Sequence, residues 1–185
     1  DNFFGLITVD PYHIDKSIEQ IKRYLINGPM VGVKVFGRGP TALLAGDPIY
    51  DPIIEEVKKA GGIFLMHASY NITGNYKNES TPADVVSMAE RHPDLIIQMP
   101  HLTLDRYEGI LEVEPYENVY VDVCGSYPEA GFIEWAVDVL GPERILFGSD
   151  VPGRDFGVQL AKVTGADLSG EVKELILSEN YLRII

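Results

Sequence analysis

Six apolar runs alternate with helical or loop segments along the sequence, and this alternation predicts a single α/β domain with a parallel sheet, spanning residues 1–185. The runs follow one another at intervals of about 25 to 30 residues, which suits βαβ units because a parallel strand is reached only through a crossover. Several runs are apolar at consecutive positions, as expected of strands that are covered on both faces. No linker or low-complexity segment divides the chain.

The strands are predicted from β-branched and aromatic composition, and the helices from apolar residues that recur at helical spacing. The N-terminal elements are a strand at 3–9, a helix at 14–26, a strand at 31–36, a helix at 51–60 and a strand at 63–67. Asp51 and Pro52 are typical of a helix start, with the aspartate as the cap. Gly28 and Gly61 are typical stops.

The C-terminal elements follow the same alternation. They are a helix at 81–92, a strand at 95–101, a short helix at 104–111, a strand at 119–124, a helix at 128–140, a strand at 145–147 and a helical tail at 169–185. Thr81 and Asp84 resemble a capping box, with Asp in place of the usual Glu. Gly148 is expected to provide a tight turn after the last strand.

The composition excludes several classes of function. A net charge of -13 argues against a nucleic-acid partner, which would require clustered Lys and Arg. No apolar run approaches the roughly 20 residues of a membrane span. Cys124 is the only cysteine, so an internal disulfide is excluded, and a reducing, cytoplasmic location is favoured. We therefore expect a small-molecule partner.

Three of the predicted strands end in a titratable side chain, namely His67, His101 and Asp150. Each has a structural alternative, because a histidine can be buried against backbone groups and Asp150, two residues before Pro152, could cap a helix. The carboxyl ends of parallel strands meet at one edge, which favours a shared site and a barrel over a doubly wound sheet. No glycine-rich nucleotide-binding turn follows any strand, and this also favours the barrel.

Two imidazoles and a carboxylate are ligands that a divalent metal ion such as zinc accepts, and a bound metal ion makes a water molecule nucleophilic. Alternatively, one histidine is a general base near that water. Lys34 lies within an apolar strand, where we expect Asp122 to pair with it structurally. A modified Lys34 that bridges two metal ions is the second alternative.

Loop residues after the strands are candidates for substrate binding. Arg38 and Arg154 could receive an anionic group, although surface solubility would equally explain either arginine alone. Tyr70 and Tyr76 lie in a polar loop that could form a lid over the site or simply cover its edge.

At this point the sequence resembles a known family. The motifs that carry the resemblance are Gly32-Val-Lys-Val, Leu65-Met-His67-Ala, Met99-Pro-His101-Leu, Asn118-Val-Tyr-Val-Asp122, Arg144-Ile-Leu-Phe-Gly-Ser-Asp150-Val-Pro and Glu179-Asn-Tyr-Leu-Arg-Ile. Together they resemble the amidohydrolase superfamily, in the branch of metal-dependent hydrolases related to aminocarboxymuconate-semialdehyde decarboxylase. They cover essentially the whole chain.

The resemblance implies a (β/α)8 barrel with one metal ion, often zinc. By position, His67 would be a metal ligand, Asp150 a metal ligand or the proton acceptor for a metal-bound water, and His101 the catalytic acid/base. The branch includes hydrolases, decarboxylases and hydratases that act on small carboxylated or cyclic compounds. We therefore expect a metal-dependent hydrolase or decarboxylase.

The sequence departs from the family pattern in two ways. It has no His-x-His strand, so six of the eight barrel strands are predicted and the first two would precede Asp1. The turn Leu102-Thr-Leu replaces a glycine-containing turn, which affects the expected fit of the substrate pocket. Either the sequence is the C-terminal part of an enzyme, or it is a binding or scaffold module that closes its sheet edge as a homo-oligomer. Retention of His67, His101 and Asp150 favours the enzyme.

Overall fold

One parallel sheet of six strands carries the fold in this computed structural model, which describes residues 4–71, 73–102, 107–125 and 129–185. The strands are β1 (Gly5–Thr8), β2 (Met30–Val35), β3 (Ile63–Met66), β4 (Ile96–Met99), β5 (Val119–Asp122) and β6 (Ile145–Leu146). Every pair of neighbours is parallel, and the order in the sheet is the order in the chain. This unreversed order is that of a barrel wall, whereas a doubly wound sheet reverses direction at a switch point.

Helices follow the strands where the sequence predicts them, and one further helix, Phe156–Thr164, was not predicted. They are α1 (Ile14–Ile21), α2 (Asp51–Lys59), α3 (Pro82–Arg91), α4 (Tyr107–Val113), α5 (Phe132–Leu140), α6 (Phe156–Thr164), α7 (Gly170–Glu174) and α8 (Asn180–Ile184). Wider π-helical turns continue α1 over Lys22–Ile26 and join α7 to α8 over Leu175–Glu179. Within the described ranges, no helix combines the length and the apolar character that a membrane crossing needs.

The two faces of the sheet have different coverings. Residues such as Phe64 and Ile97 face the main core, where they pack with apolar side chains of the helices, among them Ile53 of α2 and Val85 of α3. Their chain neighbours face the other way, because side chains alternate along a strand. Ile63 on that inner face packs against the C-terminal helix α8 in a second, smaller cluster.

The capping residues of two helical segments differ from the sequence-based expectation. A 3₁₀ turn, Pro48–Tyr50, precedes α2, and its cap is Asp47, whose side chain accepts a hydrogen bond from Ile49 N at 2.9 Å. Asp51 is therefore not the cap. At α6 the cap is Asp155, which accepts from Val158 N at 2.9 Å, so the capping alternative for Asp150 is wrong.

One hydrogen bond of the predicted capping box at α3 is confirmed, the one from the cap backbone to the side chain three residues later: Asp84 Oδ2 accepts from Thr81 N at 2.8 Å. Some predictions fall outside the described residues: the strand start at Phe3, the helix start at Leu104 with the unusual turn 103–104, and the helix start at Pro128.

Candidate functional site

The inner face of the sheet opens at its carboxyl end into a cavity of about 680 Å³. Its walls are largely every second residue at the ends of five strands, which is the series that alternation directs inward. These residues are Lys34, Phe36, Leu65, His67, Gln98, Pro100, Asp122, Cys124, Gly148 and Asp150. The alternation of each strand therefore brings together side chains that are far apart in the sequence.

His67 and His101 form the centre of this cavity. His101 Nε2 lies 3.1 Å from His67 Nδ1, and the two rings meet edge to face at 4.9 Å between centroids. Burial is the main cause that lowers the pKa of both histidines, to about 4 for His101. At neutral pH both rings are thus uncharged, and each has one nitrogen that donates and one that accepts.

His101 reaches the cavity through an unusual backbone conformation. By alternation its side chain would face the helices with Met99, but its φ of 76° turns the chain and the imidazole lines the cavity instead. Left-handed φ values are uncommon outside glycine. Asp122 holds this turn, since its carbonyl oxygen accepts from Leu102 N at 2.9 Å.

Asp150 also lines the cavity and also has a left-handed φ, of 53°. It follows Gly148, whose role differs from the predicted tight turn. A Cβ added to Gly148 would lie 2.5 Å from Asp122 Oδ1, so the glycine is needed because the Asp122 carboxylate approaches its backbone closely. Asp150 itself is exposed, which leaves its carboxylate accessible from the cavity mouth.

A chain of polar groups on the inner face of the sheet holds the carboxylate of Asp122 in place. Tyr181 of α8 donates to Gln98 Oε1 at 2.7 Å, and Gln98 Nε2 donates to Asp122 Oδ2 at 2.9 Å. Asp122 Oδ1 accepts from the backbone N–H of Cys124 at 3.1 Å. The structural role predicted for Asp122 is thus compatible with its contacts, but its bonding partners are Gln98 and Cys124.

Lys34 interacts with Asp122 only at longer range, since the described residues contain no ion pair between them. The physical reason is the sheet order: β2 and β5 are separated by β3 and β4, and Gln98 on the adjacent strand reaches Asp122 first. Burial lowers the pKa of Lys34 to about 8, against the attraction of Asp122. Its ammonium group lies 5.3 Å from the ring centre of Phe36.

Arg38 and Arg154 both line the same cavity, as a substrate-binding role requires. Arg38 Nε lies 3.6 Å from Glu79 Oε1, and its guanidinium carbon lies 4.4 Å from the ring centre of Tyr76. Arg154 Nε is buried and has no hydrogen-bond partner within the described part of the chain. An N–H group left in that state is available to an anionic ligand.

Tyr70, the third predicted substrate contact, lies outside the cavity lining. Its hydroxyl donates to the carboxylate of Glu112 on α4, at 2.8 and 2.9 Å to the two oxygens. Tyr70 lies in the loop after β3, whose base is closed by a hydrogen bond from Ser69 N to Ser80 O at 3.0 Å. Tyr76 of the same loop is exposed and stacks on Arg38.

Sequence reasoning missed three residues of the site. Glu79 is buried with its Oε1 3.3 Å from His67 Nε2, Cys124 Sγ lies 3.1 Å from His101 Nδ1, and Gln98 holds Asp122. For Gln98 a signal existed, a polar residue at an inward position of an apolar strand. Glu79 had none, since it is one acid in a polar loop.

A metal ion would require more ligands than these residues supply. His67 and Asp150 are suitable ligand types in one cavity, but the described residues contain no group of three or more His, Cys, Asp or Glu side chains that could hold an ion. Catalytic zinc sites use at least three protein ligands. The described residues therefore do not form a metal site by themselves.

The family model described as amidohydrolase matches residues 1–184. Matching solved structures include 2,6-dihydroxybenzoate decarboxylase from Rhizobium, with a TM-score of 0.80, 19% identity, and coverage of 100% of this chain and 71% of that chain. A second match is 5-carboxyvanillate decarboxylase from Novosphingobium aromaticivorans, complexed with manganese and 4-hydroxy-3-methoxy-5-nitrobenzoic acid. Its TM-score is 0.77 and its identity 16%, with coverage of 100% of this chain and 64% of that chain. A third match is 4-oxalomesaconate hydratase from Rhodopseudomonas palustris, with a TM-score of 0.63, 18% identity, and coverage of 100% of this chain and 66% of that chain.

No curated protein matches the chain. At such low identities the similar structures show the fold, and they confirm the prediction of an α/β barrel-type architecture with a parallel sheet. The chain spans between 64% and 71% of the length of these three proteins.

Proposed function

This chain belongs to the amidohydrolase family, and from that premise we propose that it carries the substrate-binding and proton-transfer part of a metal-dependent decarboxylase or hydrolase. The substrate class that we infer is a small, ring-containing carboxylate. Decarboxylation is the favoured reaction, because decarboxylases are among the similar structures and the compounds named for them are aromatic carboxylates.

The observation that carries this proposal is a guanidinium nitrogen of Arg154 in the cavity wall, which has no partner among the described residues. Three cationic side chains, Lys34, Arg38 and Arg154, line the cavity together with the three carboxylates of Glu79, Asp122 and Asp150. Arg38 lies beside Glu79, whereas the buried Nε of Arg154 is left to an anionic ligand. Arginine in particular matches a carboxylate with two parallel N–H bonds, and Arg154 Nε is unpartnered in the described residues.

Proton transfer is assigned to His101 and Asp150. Decarboxylation breaks the bond between the ring carbon and the carboxyl carbon, and the ring carbon then takes up a proton. Hydrolysis instead removes a proton from water and gives one to the leaving group. An uncharged imidazole such as His101 can accept a proton, and the imidazolium that results can donate that proton later in either reaction. The accessible carboxylate of Asp150 can also accept a proton.

We propose a divalent ion as cofactor, with His67 and Asp150 as two of its ligands and the remainder supplied from beyond the described residues. The manganese complex of one similar structure supports a divalent ion. Zinc, which the sequence favours, remains a prediction. A cytoplasmic location and a homo-oligomer also remain predictions.

The test is turnover of 2,6-dihydroxybenzoate and 5-carboxyvanillate, followed by ultraviolet absorbance with manganese or zinc added. Arg154→Met should raise KM by roughly 10- to 100-fold, because a charge-assisted hydrogen bond is lost.

His101→Ala should lower kcat by about 10²- to 10⁴-fold, because the proposed proton acceptor is lost. Arg23→Met and His13→Ala, both at exposed positions outside the cavity, are the matched controls. Unchanged kinetics in both site variants would exclude the proposed roles.

A binding module without catalysis is the second candidate, and the insufficient ligand set of the described residues favours it. Asp150→Ala separates the two candidates. A binding module should retain its affinity for a carboxylate such as 2,6-dihydroxybenzoate in calorimetry, and neither form would turn the compound over. An enzyme should bind it and lose its rate by orders of magnitude.

A further inference from the structure

The C-terminal motif that begins at Glu179 contributes to the family resemblance, but the proposed reaction gives it no role. Most of it forms helix α8, whose first residue, Asn180, is fully buried. Asn180 Nδ2 donates to Pro142 O at 2.7 Å and to Ile145 O at 2.8 Å, which attaches the start of α8 to the start of β6. Tyr181 follows directly in the chain, so this attachment also sets the position of the tyrosine.

Tyr181 fixes the orientation of the Gln98 amide. The carboxylate of Asp122 only accepts hydrogen bonds, so the amide of Gln98 must direct its Nε2 towards Asp122, at 2.9 Å. The amide oxygen, Oε1, then faces the hydroxyl of Tyr181 at 2.7 Å, and because an amide oxygen only accepts, Tyr181 donates. Gln98 and Asp122 are both 3% exposed, so little water competes for these bonds. Loss of the hydroxyl would leave Gln98 Oε1 without this donor.

Asp122 connects this arrangement to His101 in two ways. Its carbonyl oxygen accepts from Leu102 N at 2.9 Å, which holds the backbone directly after the histidine. Its Oδ1 accepts from Cys124 N at 3.1 Å, and Cys124 Sγ lies 3.1 Å from His101 Nδ1, which places a neighbour against the imidazole. The left-handed φ of His101, 76°, is a conformation that a residue other than glycine keeps only where its surroundings hold it.

We propose that Tyr181 is a positioning residue, which acts through Gln98 and Asp122 to hold the imidazole of His101 in the cavity. The inference rests on the proton-transfer role proposed for His101 and assigns the C-terminal helix a part in it. Tyr181 also lines the cavity, and burial raises its pKa to about 12, so the hydroxyl keeps its proton at neutral pH. Because that proton is donated to Gln98, the hydroxyl offers only lone pairs to an anionic ligand, which argues against direct substrate binding.

Amide hydrogen exchange, followed by NMR on the purified chain, tests this connection without any substrate. Tyr181→Phe keeps the ring and removes only the donor. Exchange at the N–H groups of Leu102 and Cys124 should become faster by roughly 3- to 10-fold, because the residue that accepts from both is less firmly held. The N–H of Ser69, which donates to Ser80 O in the loop after β3, should keep its exchange rate. Unchanged exchange at the first two groups would overturn the proposal.

Two control variants separate positioning from a general loss of stability. Tyr116→Phe removes a tyrosine hydrogen bond of similar length, to Glu90 Oε1 at 2.6 Å, outside the cavity lining. Ile184→Val weakens the packing of α8 in the smaller apolar cluster but keeps the hydroxyl of Tyr181. Neither control should change exchange at the two amide groups. The same acceleration in Ile184→Val would mean that α8 acts by packing alone, and the proposal would be wrong.

A double variant tests whether the effect passes through the amide of Gln98. Gln98→Met keeps a side chain of similar length and removes both of its hydrogen bonds, so it should itself accelerate exchange at the two amide groups. Adding Tyr181→Phe to Gln98→Met should then cause no further acceleration, because residues of one connected network are not additive. Additive effects of the two substitutions would contradict the proposal.

Kinetics distinguish a failure of this inference from a failure of the proposed function. With 2,6-dihydroxybenzoate and manganese, Tyr181→Phe should lower kcat by roughly 3- to 10-fold and leave KM unchanged, because positioning acts on proton transfer and not on binding. A raised KM with unchanged kcat would mean direct substrate contact and would overturn the inference. If the wild type turns over no substrate, the proposed function fails, and the exchange rates alone decide whether Tyr181 holds the segment around His101.

Discussion

Lys34 on the inner face of β2 combines a charge with an apolar strand. Burial lowers its pKa to about 8 from 10.5, which means that burial outweighs the attraction of Asp122, Cys124 and Asp150. Below pH 8 the side chain is protonated in the folded and the unfolded protein, so the cost of burying the charge is fully present. Between pH 8 and 10.5 only the unfolded protein still binds the proton, so stability rises with pH in that window.

Replacing Lys34 with methionine should therefore stabilise the protein at pH 7. We expect the free energy of unfolding to increase by about 1–2 kcal/mol, a discounted conversion of the pKa shift because the side chain is only partly buried. The gain should shrink at pH 10. Urea unfolding at both pH values measures this change, with Lys59→Met, at an exposed lysine paired with Glu56, as the control. A loss of stability at pH 7 would mean that Lys34 is needed to balance the cavity carboxylates.

At the scale of elements, the segment between β6 and α6 separates two aspartates that look alike in the sequence. Asp155 caps α6 through its bond to Val158 N, whereas Asp150 lies at the cavity mouth with a left-handed backbone. The residues between them form a turn, in which Arg154 N donates to Asp150 O at 3.0 Å. The turn directs Arg154 into the cavity and delays the helix start by several residues.

The two aspartates should respond differently to alanine. Asp155→Ala should lower the free energy of unfolding by about 1 kcal/mol, because an N-terminal N–H of α6 loses its acceptor. Asp150→Ala should lower it by less, about 0.5 kcal/mol, because Asp150 caps no helix and is exposed, so the cost is only that alanine tolerates its left-handed φ less well than aspartate does. Thermal unfolding of both variants gives the comparison. The reverse order of the two effects would restore Asp150 as the cap.

At the scale of the whole molecule, the candidate metal ligands His67 and Asp150 follow two strands that are not neighbours in the sheet, β3 and β6. No third ligand joins them within the described residues. Purified without added metal, the chain should therefore contain well below one equivalent of zinc or manganese, because the two candidate ligands among the described residues are too few to retain an ion through purification. Elemental analysis after purification without chelators measures the content. Close to one ion per chain would contradict this expectation and would require ligands beyond the described residues.

Much of the architecture was predictable because its signals are local. Apolar runs, turn residues and caps act within a few positions, so the strands and most helices were identified from the sequence. The inward series through His67, Asp122 and Asp150 follows from alternation alone. The start of α2 at Asp51 was predicted correctly, but the cap was not, because a 3₁₀ turn that is capped by Asp47 precedes the helix.

The sequence by itself determined the parallel α/β architecture, the family resemblance and the three strand-end residues, since period and motif spacing are properties of short segments. Only the tertiary structure decided which side chains contact one another. Glu79 reaches His67 from a loop, Gln98 takes the place beside Asp122 that was expected for Lys34, and Tyr70 turns to Glu112. These contacts join residues that are far apart in the sequence, so they depend on the tertiary fold and cannot be predicted from short sequence segments.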